Sequence, residues 1–308
     1  MSILKKTLKI LTTTTLIFLA ILLAALFIFD QFVQFRDSDK DLAAFFKKEK
    51  IPASISYYKS YGRSLRYLEV GNPRAPVTIL FLHGAPSSMS YFKKYFTNDT
   101  LLQKAFMLAV DRPGYGYSGL GQPETSIELQ AKMIKPLLDS LHQGRHPLIV
   151  VGVSYGTSIA CRLAMDYPQL IDGLVLVAPS LAPGEEKIYA IAYPIQFSFL
   201  QWAVPRMLLS ANAEKLSHKE ELTKMLPNWY KIKIPVIYLQ GADDELIYPT
   251  NAEFARKKLI NAACLDIEMI PNRGHLIMFS ETKKIKHAIV EMTTFCRSYL
   301  SPVQTAAH

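Results

Sequence analysis

Apolar and polar positions divide the chain into an uncharged N-terminal run, a charged connector and a long alternating remainder. From residue 10 to 29 the sequence ILTTTTLIFLAILLAALFIF carries no charge. Twenty residues rising about 1.5 Å each cover a hydrocarbon core about 30 Å thick, so the run predicts one membrane-spanning helix. It ends in Phe29, Asp30, Gln31 and Phe32 without an A-x-A cleavage pattern, which favours an uncleaved anchor over a signal peptide. Residues 30–50 read as a connector, charged from Arg36 to Lys50. Beyond it, short runs of Val, Ile, Leu and Phe alternate with stretches of helical period. That pattern belongs to repeated strand-helix units around a mostly parallel sheet.

The apolar runs predict strands at 65–70, 77–82, 106–110, 148–153, 174–177, 236–240 and 265–270. Several are apolar on both faces, as strands become when helices cover both sides of a sheet. Helical period predicts helices at 127–141, 157–167, 252–259 and 281–299. Between residues 177 and 236 no strand is readable over about sixty residues, too long for a plain connection, and an inserted helical lid is expected at about 181–232. Residues 188–209 within it are strongly apolar, but Pro194, Gln196, Gln201 and Pro205 disfavour a second span. A span there would also detach the last two strands from their sheet.

Composition bounds the partners. With 20% charged and 50% hydrophobic residues, the chain beyond the anchor is long enough to fold as one globular domain. The net charge of +9 comes from Lys and Arg interleaved with Asp and Glu, so no nucleic-acid-binding patch is read. Residues 1–9 are a short basic terminus in which Lys5, Lys6 and Lys9 suit an anionic membrane surface. Arg36 and Lys40 follow the span, leaving a slight bias toward a cytoplasmic N-terminus and a catalytic domain on the far side of the membrane. Cys161, Cys264 and Cys296 form no zinc or disulfide pattern, and Cys161 and Cys296 fall on predicted helices as small hydrophobes.

Gly152-Val153-Ser154-Tyr155-Gly156 is a G-x-S-x-G between a predicted strand and a predicted helix, the context in which the pattern lifts a serine out of a sheet. A helix N-cap would explain the serine but not its flanking glycines. A serine nucleophile needs a base, and the base needs an orienting carboxylate. Asp243 and Asp244 follow the strand PVIYLQ, and His275 follows the next strand, so each stands just beyond a carboxyl end of the sheet. His142, His146, His218 and His287 have no motif context and read as structural.

From about residue 65 to 300 the sequence resembles the α/β-hydrolase family. His83-Gly84-Ala85-Pro86 resembles its H-G-x-P turn, Asp111-Arg112-Pro113-Gly114-Tyr115-Gly116-Tyr117-Ser118 its D-x-P-G-x-G-x-S loop, and Gly274-His275 its late G-H. The resemblance implies an α/β-hydrolase fold over residues 51–308: a mostly parallel doubly wound sheet with an inserted helical lid. It implies Ser154 as nucleophile, His275 as general base and Asp244 as the orienting acid, with Asp243 the alternative. It also implies an oxyanion hole from the backbone N-H groups of Ala85 and Tyr155, with no metal or organic cofactor. His83, Asp111 and Arg112 are expected to be structural, while Tyr155 and Met89 are open between lining the pocket and packing in the core, with packing at least equal.

Serine at the elbow departs from the dehalogenases and epoxide hydrolases that share these loops, because those use aspartate. An ester hydrolase acting on a hydrophobic acyl group, small-molecule or lipid-like, is favoured by the anchor and the apolar lid. A proline-iminopeptidase-like aminopeptidase, a carbon-carbon bond hydrolase and a non-catalytic binding module remain the alternatives. The first of these needs carboxylates for an amine, and Glu185, Glu186, Glu214, Glu220 and Glu221 stand mostly outside the apolar stretch.

Overall fold

The computed structural model of the chain describes residues 3–142 and 146–300. Residues 1, 2, 143–145 and 301–308, and the side chains of residues 3, 4, 142 and 297–300, lie outside that description. Eight strands form one sheet: β1 (Ala53–Ser60), β2 (Arg63–Val70), β3 (Val77–Leu82), β4 (Ala105–Val110), β5 (Leu148–Val153), β6 (Gly173–Val177), β7 (Val236–Gly241) and β8 (Leu265–Ile270). Their order is β1-β2-β4-β3-β5-β6-β7-β8. The β1-β2 and β2-β4 pairs are antiparallel, and every other pair is parallel. The longer helices are α1 (Ile3–Phe32), α2 (Asp39–Glu49), α3 (Ile127–His142), α4 (Tyr155–Asp166), α5 (Arg206–Met225), α6 (Thr250–Lys258) and α7 (Thr282–Leu300).

Side chains of the central strands alternate between two cores, as the twofold period of a strand requires. Leu80, Leu82, Val150, Leu174 and Leu176 face α3, α4 and α6, whereas Ile79, Phe81, Ile149, Val151 and Val175 face α2 and α7. This double burial is why those strands read as continuous apolar runs. The predicted α/β architecture is therefore the one that forms. Cys161 and Cys296 are buried as expected, and Cys264 is exposed.

Three differences from the expected elements have physical reasons. First, β1 was not predicted: Ser-Ile-Ser-Tyr-Tyr-Lys alternates too weakly, because as an edge strand it leaves most positions exposed or half-buried. Second, the connector holds α2, which buries only Leu42 and Phe46, four residues apart, and starts from a capping box in which Ser38 and Asp41 exchange hydrogen bonds. Third, the apolar helix runs from Ile3 to Phe32, beyond the predicted 10–29 at both ends. Its stretch Lys5–Phe32 is long and apolar enough to cross a membrane, and none of its most apolar window is buried within the protein.

The end of α1 is fastened to the domain. Arg206 places its backbone N-H 2.8 Å from Asp30 Oδ1 and its Nη2 2.7 Å from Asp30 Oδ2. Further on, Ser88 Oγ donates to the Phe35 carbonyl at 2.7 Å, and Arg66 Nη1 to that of Asp37 at 3.1 Å.

Between β6 and β7 the chain forms two single-turn helices, Ala192–Ile195 and Ser198–Gln201, and then α5, with no strand of the main sheet. α5 is tied to the domain turn by turn. Ser210 Oγ donates to the Gly114 carbonyl at 2.8 Å, Glu214 meets Arg112, and Glu221 accepts the Ile127 N-H at 2.9 Å.

Candidate active site

Ser154 stands between β5 and α4 at φ 52° and ψ −125°, a conformation costly for a residue with a side chain and tolerated where neighbours enforce it. The neighbours do so through glycine. A Cβ on Gly156 would lie 2.3 Å from the Leu82 carbonyl oxygen, so only glycine lets α4 start this close to β3. The result turns the serine hydroxyl out above the carboxyl end of the sheet.

His275 Nε2 lies 3.0 Å from Ser154 Oγ, and its Nδ1 lies 2.8 Å from Asp244 Oδ2. With the carboxylate accepting at Nδ1, Nε2 is left free to accept the serine proton. The other oxygen of Asp244 accepts the N-H groups of Leu246 and Ile247 at 3.0 and 2.9 Å, which locks the carboxylate in a buried position. Asp243 is exposed, and its backbone N-H is spent on the Arg273 carbonyl. Of the two aspartates, Asp244 is the one that meets His275.

The Gly84-Ala85 turn after β3 closes over Ser154: a Cβ on Gly84 would come within 2.9 Å of Ser154 Cβ. The N-H of Tyr155 opens α4 ahead of any intrahelical acceptor, as first-turn amides do. His83 is fully buried, accepts the Arg112 N-H at Nε2 (3.0 Å), and has Nδ1 2.7 Å from the Gly84 carbonyl. Burial, then the Arg112 charge, holds it well below the usual histidine range, so it braces this turn as a neutral ring.

The loop expected to be structural is so. Asp111 accepts from the N-H groups of Met89 and Tyr117, both at 2.9 Å. Arg112 makes a two-pronged pair with Glu214 at 2.6 and 3.0 Å. Of the two readings open for Met89, packing is the one that forms, in the core cluster that also holds Phe81 and Phe92; Tyr155 lines a cavity.

Two cavities meet at Ser154 and share Ala85, Pro86, Leu246 and His275. One, about 320 Å³, is walled by Tyr91, Phe92, Met278 and Phe279. The other, about 350 Å³, runs under the excursion between β6 and β7 and is walled by Tyr189, Ile195, Leu208, Lys215 and His218. Among the described residues no group of three or more His, Cys, Asp or Glu is placed to hold a metal ion.

Sequence reasoning missed a second serine-histidine-carboxylate array one turn behind the first. Ser158 Oγ is 3.0 Å from His218 Nε2, His218 Nδ1 is 3.0 Å from Glu186 Oε1, and Lys215 Nζ is 2.6 Å from Glu186 Oε2. Ser158 is fully buried, lines neither cavity, and gives its proton to the Ser180 carbonyl at 2.6 Å. Its chemistry is that of a clasp holding α5 to α4. His218 also packs against Tyr155, with ring centroids 4.5 Å apart and the planes tilted by 31°. The available signal was the spacing of Ser158, four residues after Ser154 on one helix face; His218 and Glu186 offered none.

Comparison with known proteins agrees with this architecture. Residues 77–225 match the profile of the alpha/beta hydrolase fold family. Human monoacylglycerol lipase ABHD6 is 22% identical over 262 residues, covering 72% of this chain and 76% of that protein. The Xenopus laevis monoacylglycerol lipase abhd6-B is 29% identical over 208 residues, covering 65% and 58%. Among solved structures, a membrane phospholipase A described as a bacterial virulence factor superposes with a TM-score of 0.62 at 18% identity, covering 94% of this chain and 99% of that one. A thermophilic esterase gives 0.58 at 18%, covering 80% and 99%. At these identities the structural likenesses establish the fold.

Proposed function

We propose that this chain, an α/β-hydrolase, is a membrane-anchored serine hydrolase that cleaves carboxylic esters carrying a hydrophobic acyl group. The observation that carries the reading is the unbroken relay from Asp244 through His275 to Ser154, open to two largely apolar cavities. Ser154 Oγ attacks the ester carbonyl carbon while His275 Nε2 takes its proton. Asp244 holds the imidazole in position and stabilises its cation. The N-H groups of Ala85 and Tyr155 receive the developing oxyanion, each worth about 3 kcal/mol in such sites. His275 then protonates the leaving alcohol, and water, activated by the same histidine, releases the acid.

The apolar acyl preference is supported by Tyr91, Phe92, Met278 and Phe279 around one cavity, and by monoacylglycerol lipases among the relatives. Anchoring is supported by the 28-residue apolar stretch of α1. Lys5, Lys6 and Lys9 ahead of it favour a catalytic domain beyond the cytoplasm. An aminopeptidase reading lacks a free carboxylate among the described residues lining the two cavities: Glu186 in the second is paired with Lys215.

The test is turnover of p-nitrophenyl esters from acetyl to palmitoyl by the full chain in detergent, beside Ser154→Ala. Turnover rising with chain length and lost in the variant is the expected result. A folded chain that turns over none of the series, or only its shortest members, overturns the proposal.

A further inference from the structure

Residues 188–205 contain no charged side chain and are flanked by Lys187 and Arg206. They form the two single-turn helices and their joints, and they expose Ile191, Tyr193, Phe197, Phe199 and Trp202, with Phe199 at 69% and Trp202 at 60% exposure. The Phe197 and Phe199 rings stack, with centroids 5.9 Å apart, so the patch is continuous. Soluble surfaces rarely carry such a patch without something to cover it.

What covers it follows from where it is tethered. Asp30 stands directly after the uncharged run 10–29, at the level where a spanning helix leaves the hydrocarbon. Arg206, the residue immediately after the patch, is bonded to Asp30 by backbone and side chain at 2.8 and 2.7 Å. The patch is therefore held beside the end of the anchor. Its chemistry suits that level: Tyr and Trp for the headgroup boundary, Phe and Ile for the acyl side, cations at both flanks. Pro194, Pro205, Gln196 and Gln201 break it too often for it to span.

We propose that residues 188–205 are a second membrane contact, lying in the headgroup region of the leaflet face from which α1 emerges. It rests on the anchored-hydrolase reading above and adds a route to it. Tyr189, Ile191 and Ile195 of the same segment line the cavity that reaches Ser154. An ester lipid thus passes from the bilayer surface along the inner side of the segment without crossing water.

The chain has two tryptophans, and Trp229 is buried, so Trp229→Phe leaves Trp202 as the reporter. The full-length variant is reconstituted into phosphatidylcholine vesicles with lipids brominated near the headgroup end of the acyl chain. Trp202 emission is expected to be quenched by the bromines and shielded from aqueous iodide. In the otherwise wild-type chain, Phe197→Asp with Phe199→Asp is expected to leave turnover of a short soluble ester unchanged. The same pair should lower turnover of a long-chain ester embedded in vesicles at least about tenfold, since two apolar rings leave the interface and two charges enter it. Trp202 open to iodide and untouched by bromine, in a chain that resists alkaline carbonate extraction, overturns the proposal while the anchor stands. Release by carbonate overturns the anchor, and the proposal with it. Iodide shielding without bromine quenching, accompanied by cross-linked chain pairs, assigns the patch to a second copy and also overturns it.

Discussion

The guanidinium of Arg112 and the carboxylate of Glu214 form two parallel bonds across 102 residues of sequence, with neither side chain exposed. One comes from the loop after β4 and the other from α5, so the pair rivets the excursion to the sheet. Tyr115 Oη and Gln130 Nε2 fill the remaining acceptor positions of Glu214, at 2.6 and 2.8 Å. Glu214→Ala leaves a buried guanidinium without its counter-charge and is expected to cost about 3 to 5 kcal/mol. Arg112→Met with Glu214→Leu removes both charges and is expected to cost less than that single change. Urea unfolding of the three chains decides it: a single variant as stable as wild type would mean the rivet bears no strain.

Asp244→Asn keeps the shape of the orienting group but lets Nδ1 of His275 lose its proton to the wrong tautomer. The expected loss in kcat is on the order of 10,000-fold, as in other serine triads. Asp243→Asn is expected to leave kcat within about twofold, because that side chain is exposed. Parallel ester kinetics separate them, and equal losses would mean that the two aspartates share the role.

Fluorophosphonate labelling distinguishes the two serines of α4 and its elbow. Ser154→Ala should abolish labelling. Ser158→Ala should retain it and instead lower the melting temperature, since it removes the bond between α4 and His218. Loss of labelling in both with unchanged folding would reassign the buried array to catalysis.

Glu186 gives a pH signature. Burial alone would raise its carboxyl, but His218 and Lys215 outweigh this and lower it from 4.5 to about 2. A carboxyl held below its unfolded value contributes stability above pH 4.5, and that contribution fades as pH falls toward 2. The stability gap between wild type and Glu186→Gln should therefore be full at pH 7 and shrink between pH 4.5 and 2. Denaturant midpoints taken across that range test this, and a gap that widens on acidification would contradict it.

Gly84→Ala probes the turn over the nucleophile. Its new Cβ would sit 2.9 Å from Ser154 Cβ and 3.2 Å from the Val153 carbonyl, pushing the Ala85 N-H away from the serine. Losing one oxyanion donor costs roughly 100-fold in kcat or more. Activity should fall far more than the melting temperature, and a proportionate fall in both would make the glycine a packing requirement alone.

The parallel strands β3 to β7 were legible because both of their faces are buried, which makes them apolar runs in sequence. Ser154, Asp244 and His275 were legible because each sits in a turn with its own local grammar of glycines and strand ends. β1 was not, since its pattern is set by what an edge exposes. Neither was the array of Ser158, His218 and Glu186: it joins α4, the loop after β6 and α5, and only the closure of the fold brings those segments together. Met89, which the sequence leaves open between pocket and core, has its direction decided by the core behind it.

The ties along α5 divide the excursion unequally. Ser210, Glu214, His218 and Glu221 bind the helix to the loop after β4, to α4 and to α3 at nearly every turn, while residues 188–205 ahead of it carry far fewer bonds to the body. The eighteen-residue piece is thus an exchangeable cassette. Substitutions within it can alter which lipids are admitted while the hydrolytic machinery and its supports keep their places, so variation among descendants of this chain should gather there.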